Sequence, residues 1–267
     1  MKKITDNFYL ITKKKQTWTE KQTSILKKYC NYSMFHPIPK DYVDCVLYGS
    51  FNEANKECFY KAPDVVMLNF DTCNGHRESL RGLICISFDG REKKGNKEYK
   101  YYYTDLIGNK GFGSSIASTV KKRKNIITKS GKDMIEYWIK YGKRNKYDYF
   151  KLRSMEDVIG FYWKCGFRFN YDKKMKTFYN NEKWDLLIKK LNNFNKLFKL
   201  NQNRIMEKEK KEYDAFLERH FNRFMEGYYN INYLNKYIAC CDMDYNTTLS
   251  QKRFNLRFQG YSMYYHF

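Results

Sequence analysis

The sequence predicts an α+β fold: a mostly antiparallel sheet flanked by helices, followed by a C-terminal helical extension. Three features carry that expectation. Val65–Phe70 and Leu80–Phe88 are strand-like runs rich in branched and aromatic residues. Turn-forming stretches follow them, Asp71-Thr72-Cys73-Asn74-Gly75 after the first and Asp89-Gly90 with Lys94-Gly95-Asn96 after the second. They lead to a third run, Tyr101–Ile107, and consecutive strands joined by turns read as an antiparallel meander. That third run passes into glycines and then a helix-like segment. From Glu182 onward, apolar residues recur at helical spacing. Periodicity alone allows more than one α+β fold with this content.

The junction between the meander and its downstream helix is the stretch best suited to chemistry. It reads Asp105-Leu106-Ile107-Gly108-Asn109-Lys110-Gly111-Phe112-Gly113-Ser114. Ser114–Lys124 suits a helix, with small residues first and Lys121, Lys122, Arg123 and Lys124 last, as the helix dipole favours. Strand, glycine loop and helix start together turn backbone N–H groups toward a phosphate. Glycines remove the Cβ atoms that would hold an anion away, and first-turn amides have no partner within the helix. The spacing is G-x-x-G-x-G rather than the dinucleotide G-x-G-x-x-G, and the Lys-Ser/Thr of a nucleoside-triphosphate loop is missing. A glycine-rich turn between two core elements is the competing reading.

Farther along, Tyr149–Leu152 suits a strand, Ser154 an N-cap with Asp157 in the first turn, and Gly166 a helix stop. Strand, glycine loop, helix, strand, then a helix ending Gly160-Phe161-Tyr162-Trp163-Lys164-Cys165-Gly166-Phe167 resembles the GNAT superfamily of acetyl-coenzyme A-dependent N-acetyltransferases. The resemblance rests on residues 105–113 and 160–167 and spans about Phe8 to Asn170. Gly108 stands where the family usually has Arg or Gln. The separation from the glycines to Tyr162 is also long, and Asn125–Lys146 reads as an inserted loop and helix.

The resemblance implies a GNAT-like mixed, mostly antiparallel central sheet in a catalytic domain over 1–181. The helical module over 182–267 lies outside the resemblance and is read from its helical spacing. It implies acetyl-coenzyme A as cofactor and an amine-bearing acceptor. Amides from Asn109 to Ser114 (Lys110, Gly111, Phe112 and Gly113 between them) would cradle the pyrophosphate, and the backbone at Asp105, Leu106 and Ile107 would hold the pantetheine arm as a strand pairs with a sheet edge. Tyr162 sits where the family often places the general acid, and a phenol with pKa near 10 stays protonated at neutral pH. A core tyrosine beside Phe161 is its other reading. Asp105, at the end of the central strand, is a candidate base if burial raises its pKa, or a cap for the glycine loop.

Composition bounds the rest. The chain has 267 residues, of which 42% are hydrophobic and 19% aromatic, with 26 Tyr and 20 Phe against 3 Pro, which describes a folded protein with a Tyr- and Phe-built core. Its formal net charge is +22, from 51 Lys and Arg against 29 Asp and Glu. That balance favours polyanions such as nucleic acid, or follows from A·T-rich coding, which raises Lys, Asn, Tyr, Phe and Ile together. Eight cysteines form no C-x-x-C and only four His are present, so a zinc site is not expected. Free thiols in a reducing intracellular compartment are. No apolar run approaches the roughly 20 residues that span a bilayer, and no secretory signal is read.

The remaining segments follow. Asn7–Thr12 is a first strand, and Thr17 with Glu20 reads as a capping box for a helix to about Tyr32. Asp133–Arg144 is helical, with Met134, Ile135, Trp138 and Tyr141 on one stripe. Thr177–Tyr179 is a candidate strand. Trp184, Leu187, Ile188, Leu191, Phe194 and Phe198 form one tail stripe, and Tyr213, Phe216, Leu217, Phe221, Phe224 and Tyr228 a second.

Overall fold

The computed structural model describes residues 1–13, 18–30, 47, 50–52, 57–60, 62–73, 76–109, 120–169, 181–200, 207–224 and 260–267. The chain divides into two compact units, Met1–Phe150 with Phe267, and Lys151–His266.

In the first unit, β1 (Lys2–Lys3), β2 (Phe8–Thr12), β5 (Val65–Cys73), β6 (His76–Lys94) and β7 (Lys97–Asn109) lie side by side in that order, each pair antiparallel. β3 (Ser50–Asn52) and β4 (Glu57–Tyr60) form a separate antiparallel pair. The first residues of β8 (Tyr149–Ser154) lie against β7. Asp148 N–H donates to the Lys100 carbonyl at 2.8 Å, Tyr101 stacks on Tyr149 at 5.0 Å, and Tyr102 stacks on Phe150 at 4.5 Å. These pairs advance in step along both strands, the sense of a parallel pair, so the sheet is mixed and mostly antiparallel.

Val65–Leu68 and Leu83–Ile86 are buried at every position. Such continuous burial requires cover on both faces. On one face α1 (Glu20–Tyr29) brings Leu26 against Ile11, Val66, Leu68, Leu83, Cys85 and Leu106. α2 (Val120–Arg144) contributes Met134, Ile135 and Trp138, all buried, and packs on β5 and β6.

Three local expectations are corrected. The capping box is Thr19 with Gln22, not Thr17 with Glu20: the Gln22 N–H donates to Thr19 Oγ1 at 3.3 Å and the Thr19 N–H to Gln22 Oε1 at 2.9 Å. Gln22 also donates to the Thr12 carbonyl, which ties the helix start to the end of β2. Asp89-Gly90 makes no turn. β6 runs on to Lys94 through a register shift between Ser87 and Gly90, and the chain reverses at Gly95-Asn96, where Gly95 has φ +62° as a two-residue hairpin with glycine first requires. The inserted loop is also absent, since α2 is continuous through 125–132. Gly131 costs about 1 kcal/mol against Ala in a helix, less than the burial of Met134, Ile135 and Trp138 contributes.

The second unit contains the rest of β8, α3 (Ile159–Lys164), β9 (Arg168–Phe169), α4 (Asn181–Leu200), α5 (Glu207–His220), a 3-10 turn at Asn222–Phe224 and β10 (Tyr261–His266). The tail is helical in α4 and α5 as expected. Phe194 and Phe198 of α4 pack on Tyr213 of α5 at 5.4 and 4.7 Å. Its end is not helical: β10 pairs antiparallel with β9, placing Met263 opposite Phe169. Tyr261-Ser262-Met263-Tyr264 is buried and aromatic-rich, and strand pairing suits it better than a helix. Thr177–Tyr179 and Tyr228 lie outside the described residues.

Candidate functional site

The feature that distinguishes β7 is a bulge. Leu106 stands opposite Cys85 and Thr104 opposite Ile86, so Asp105 is an extra residue with no counterpart on β6. Its effect shows in the packing. Tyr102 and Leu106 are four residues apart and would share a face of an unbroken strand. Instead Leu106 lies in the α1 cluster, while Tyr102 packs on Trp138 of α2 at 6.2 Å.

Asp105 is half-buried and held from β6, where the Ser87 hydroxyl donates to Asp105 Oδ2 at 2.6 Å. Tyr103 completes the group. Burial, then the charge of Asp105, push its phenol up to about 12, with the Ser87 hydroxyl acting in the opposite direction. Beneath them the Cys85 thiol is pushed well up, first by complete burial and then by Asp105 and Cys30. Cys30 is pushed up to about 12 by burial. Both thiols are therefore protonated and inert, as structural cysteines are.

The β6 side of the site is anchored by an ion pair between buried Lys13 and half-buried Asp64. Lys13 Nζ donates to the Ala62 carbonyl at 2.6 Å and lies 3.3 Å from Asp64 Oδ1. Asp64 Oδ2 accepts from the Phe88 N–H at 2.8 Å, immediately after Ser87. This pins the irregular part of β6 that carries the hydroxyl.

The residues expected to bind a cofactor fall into two groups. Asp105, Leu106, Ile107 and Asn109 are all in β7. Leu106 is buried, and Ile107 is half-buried and opposite Ile84. Gly108 and Asn109 are paired with Leu83 and Gly82, so they belong to the strand and not to a loop. This moves the start of any cradle beyond Asn109, and the Asn109 amide is a ladder residue. Lys110, Gly111, Phe112, Gly113 and Ser114 lie outside the described residues, and α2 is described from Val120.

Tyr162 belongs to the second unit, on α3. It is 7% exposed, edge-to-face with Phe161 at 5.1 Å and Phe167 at 5.9 Å. Burial, then Cys165 and Asp157, push its phenol up, so it keeps its proton across the physiological range. Ser154 does not cap this helix: it ends β8, its hydroxyl donates to the Met155 carbonyl, and the N-cap is Val158. The helix is braced by α4 instead. Trp163 Nε1 donates to Asp185 at 2.7 Å, and a Cβ on Gly160 would meet the Asn192 side chain at 2.3 Å. Gly166 ends α3 with φ +94°, as expected of a left-handed stop.

Ser87 and Tyr103 are the residues that sequence reading misses. Period-two alternation puts Tyr103 and Asp105 on one face, but choosing Ser87 from β6 requires the register, which two bulges shift.

Among the described residues no group of three or more His, Cys, Asp or Glu is placed to hold a metal ion. No described helix is long and apolar enough to cross a membrane. No family model matches the sequence, and no curated protein matches it. Among solved structures, the fold is similar to the catalytic domain of Tetrahymena GCN5 histone acetyltransferase in complex with coenzyme A, at 14% identity over 67% of this chain and 82% of that one, with a TM-score of 0.35.

Proposed function

We propose that this chain is an acetyl-coenzyme A-dependent N-acetyltransferase acting on an amine. The observation that carries this reading is the bulge at Asp105, in a strand that leads straight into the glycine-containing stretch and then α2. A bulge re-aims a side chain and disturbs a strand's pairing, and bulges concentrate beside active sites. Here it presents a carboxylate held by a hydroxyl, on the strand whose later backbone would pair with an extended arm.

Acetyl-coenzyme A would supply an acetyl group activated as a thioester. Gly111, Gly113 and the amides up to Ser114 would hold its pyrophosphate ahead of α2. Asp105 would hold the acceptor's nitrogen and take up its proton, directly or through water. Tyr162, protonated by virtue of its burial, would be an acid and not a base at neutral pH.

Calorimetry with acetyl-coenzyme A tests this reading, with a Gly111→Trp, Gly113→Trp variant as control. Saturable binding by the parent and loss in the variant are expected. Folded parent protein that binds none would overturn it. The net charge of +22 favours a second reading, a basic nucleic-acid-binding protein on the same scaffold. Its mark would be nucleic-acid affinity that falls steeply with salt, together with no coenzyme binding.

A further inference from the structure

β6 and β7 outrun the sheet that carries them. β5 accompanies β6 only as far as Ile86, and β8 begins at Tyr149, stacked on Tyr101. From Arg91 to Lys100 the chain is a two-stranded ribbon, with Arg91 opposite Lys100, Lys93 opposite Glu98 and Gly95-Asn96 at its tip. Arg91, Lys93, Lys97, Glu98 and Lys100 are all exposed. Directly opposed residues share a face, and alternation puts Arg91, Lys93 and Lys100 on the Tyr102 side, where α2 packs. The root of the ribbon is fixed to the end of α2. Asp148 Oδ2 accepts from the Lys100 N–H at 2.7 Å, and Lys100 Nζ lies 4.2 Å from the centre of the Tyr147 ring. Arg144, the last residue of α2, and Lys146, in the turn after it, are both exposed at this root.

Residues 91–100 and 139–148 hold nine Lys and Arg against three Asp and Glu, whereas α5 holds four against five. The positive charge is therefore concentrated here and not spread evenly over the chain. Glu98 pairs with Arg91 at 3.3 Å, but among the described residues Lys93, Lys100, Arg144 and Lys146 take part in no ion pair. We propose that the ribbon and the end of α2 form a docking surface for double-stranded nucleic acid, held chiefly through its phosphates. A two-stranded ribbon has a width that the major groove admits, and the cations along it and at its root would meet the flanking backbone. Single strands are held by stacking on open rings, and the ribbon's one ring, Tyr99, is half-buried with Lys97 Nζ 4.7 Å from its centre. A lipid surface needs apolar anchors, and residues 91–100 include no aliphatic side chain of that kind. This proposal does not rest on the acetyltransferase reading.

Fluorescence anisotropy on the full chain tests it, with a labelled DNA duplex, the matching single strand, and poly-glutamate as competitor. No coenzyme is present, so this proposal and the acetyltransferase reading fail separately. The parent should bind the duplex saturably and more tightly than the single strand, with log affinity falling against log salt at a slope of roughly −3 to −5. Lys93→Gln, Lys100→Gln and Lys146→Asn together should weaken binding about thirtyfold or more at ~0.1 M salt and flatten the slope by about 3. Asn is chosen at 146 because it suits the φ of 54° there. Lys21→Gln, Lys27→Gln and Lys28→Gln on α1 remove the same charge from the other face of the sheet and should change affinity less than about threefold. Lys93→Gln alone, on the exposed ribbon, should flatten the slope by about 1. Near-UV circular dichroism confirms that each variant is folded. Equal losses in the two triple variants would assign binding to net charge and overturn the surface. Tighter binding of the single strand, or poly-glutamate displacing the duplex as well as unlabelled duplex does, overturns the duplex as its partner. No saturable duplex binding overturns the proposal outright.

Discussion

Tyr101 and Tyr102 are adjacent in sequence and alike in chemistry, yet they belong to different parts of the molecule. Tyr102 is fully buried, stacked on Phe150, edge-on to Tyr147, with its hydroxyl donating to the Trp138 carbonyl. Tyr101 is half-buried, stacked on Tyr149 and bordering Tyr103. One side of β7 uses tyrosine as core, satisfying its hydroxyl internally. The other keeps tyrosine at the surface beside a carboxylate. An aromatic count therefore says little about function until the face is known, because the same side chain stabilises when covered and recognises ligands when it is not.

That contrast can be broken by substitution. Trp138→Ala should have the largest effect, removing a buried ring that touches Phe88, Tyr102 and Tyr141 and costing about 3–5 kcal/mol in urea unfolding. Tyr102→Phe should cost about 1 kcal/mol, since the buried bond from its hydroxyl to the Trp138 carbonyl is lost. Tyr101→Leu should cost about 1 kcal/mol. A cost matching Trp138→Ala would put Tyr101 in the core and remove the distinction. Thr104→Val should be the smallest change and of opposite sign: the Thr104 hydroxyl is buried without a hydrogen-bond partner, so its removal should be neutral or stabilise by up to about 1 kcal/mol.

Alkaline titration sharpens the same comparison. Folding pushes the pKa of Tyr103 and of Cys30 up to about 12 from ordinary values of 10.0 and 9.0. Above pH 9 the unfolded chain releases these protons first, so it holds fewer than the native state and stability falls as pH rises. The loss should begin near pH 9 and continue through pH 12, read as a falling urea midpoint. Tyr103→Phe should flatten the part of the curve above pH 10. An unchanged slope would show that Tyr103 ionises as it does in the unfolded chain.

Much of this molecule is legible in the sequence. The strand runs at Val65, Leu80 and Tyr101, the turn at Gly95-Asn96, the helix stop at Gly166, and the stripes of α4 and α5 are local patterns. Each follows from side-chain period or from a residue's own φ preference. The failures are equally physical. Asp89-Gly90 has turn chemistry but lies in a long hairpin whose pairing carries it through. Asn125–Lys146 reads as an inserted loop and helix, but 125–132 continue a helix held by Met134, Ile135 and Trp138. Ser154 looks like a cap, yet a cap is defined by the backbone that follows it, and the helix there begins only after Val158.

By itself the sequence determined that the chain builds an aromatic-rich α+β core and that the stretch from Tyr101 runs from strand into glycines. Those are properties of residue type and spacing. Only the tertiary structure decided that Asp105 is a bulge residue, that Ser87 is its partner, and that the side of the strand bearing Tyr102, not Tyr101, is the core. Register is a property of two strands together, and one extra residue in either changes which side chains meet.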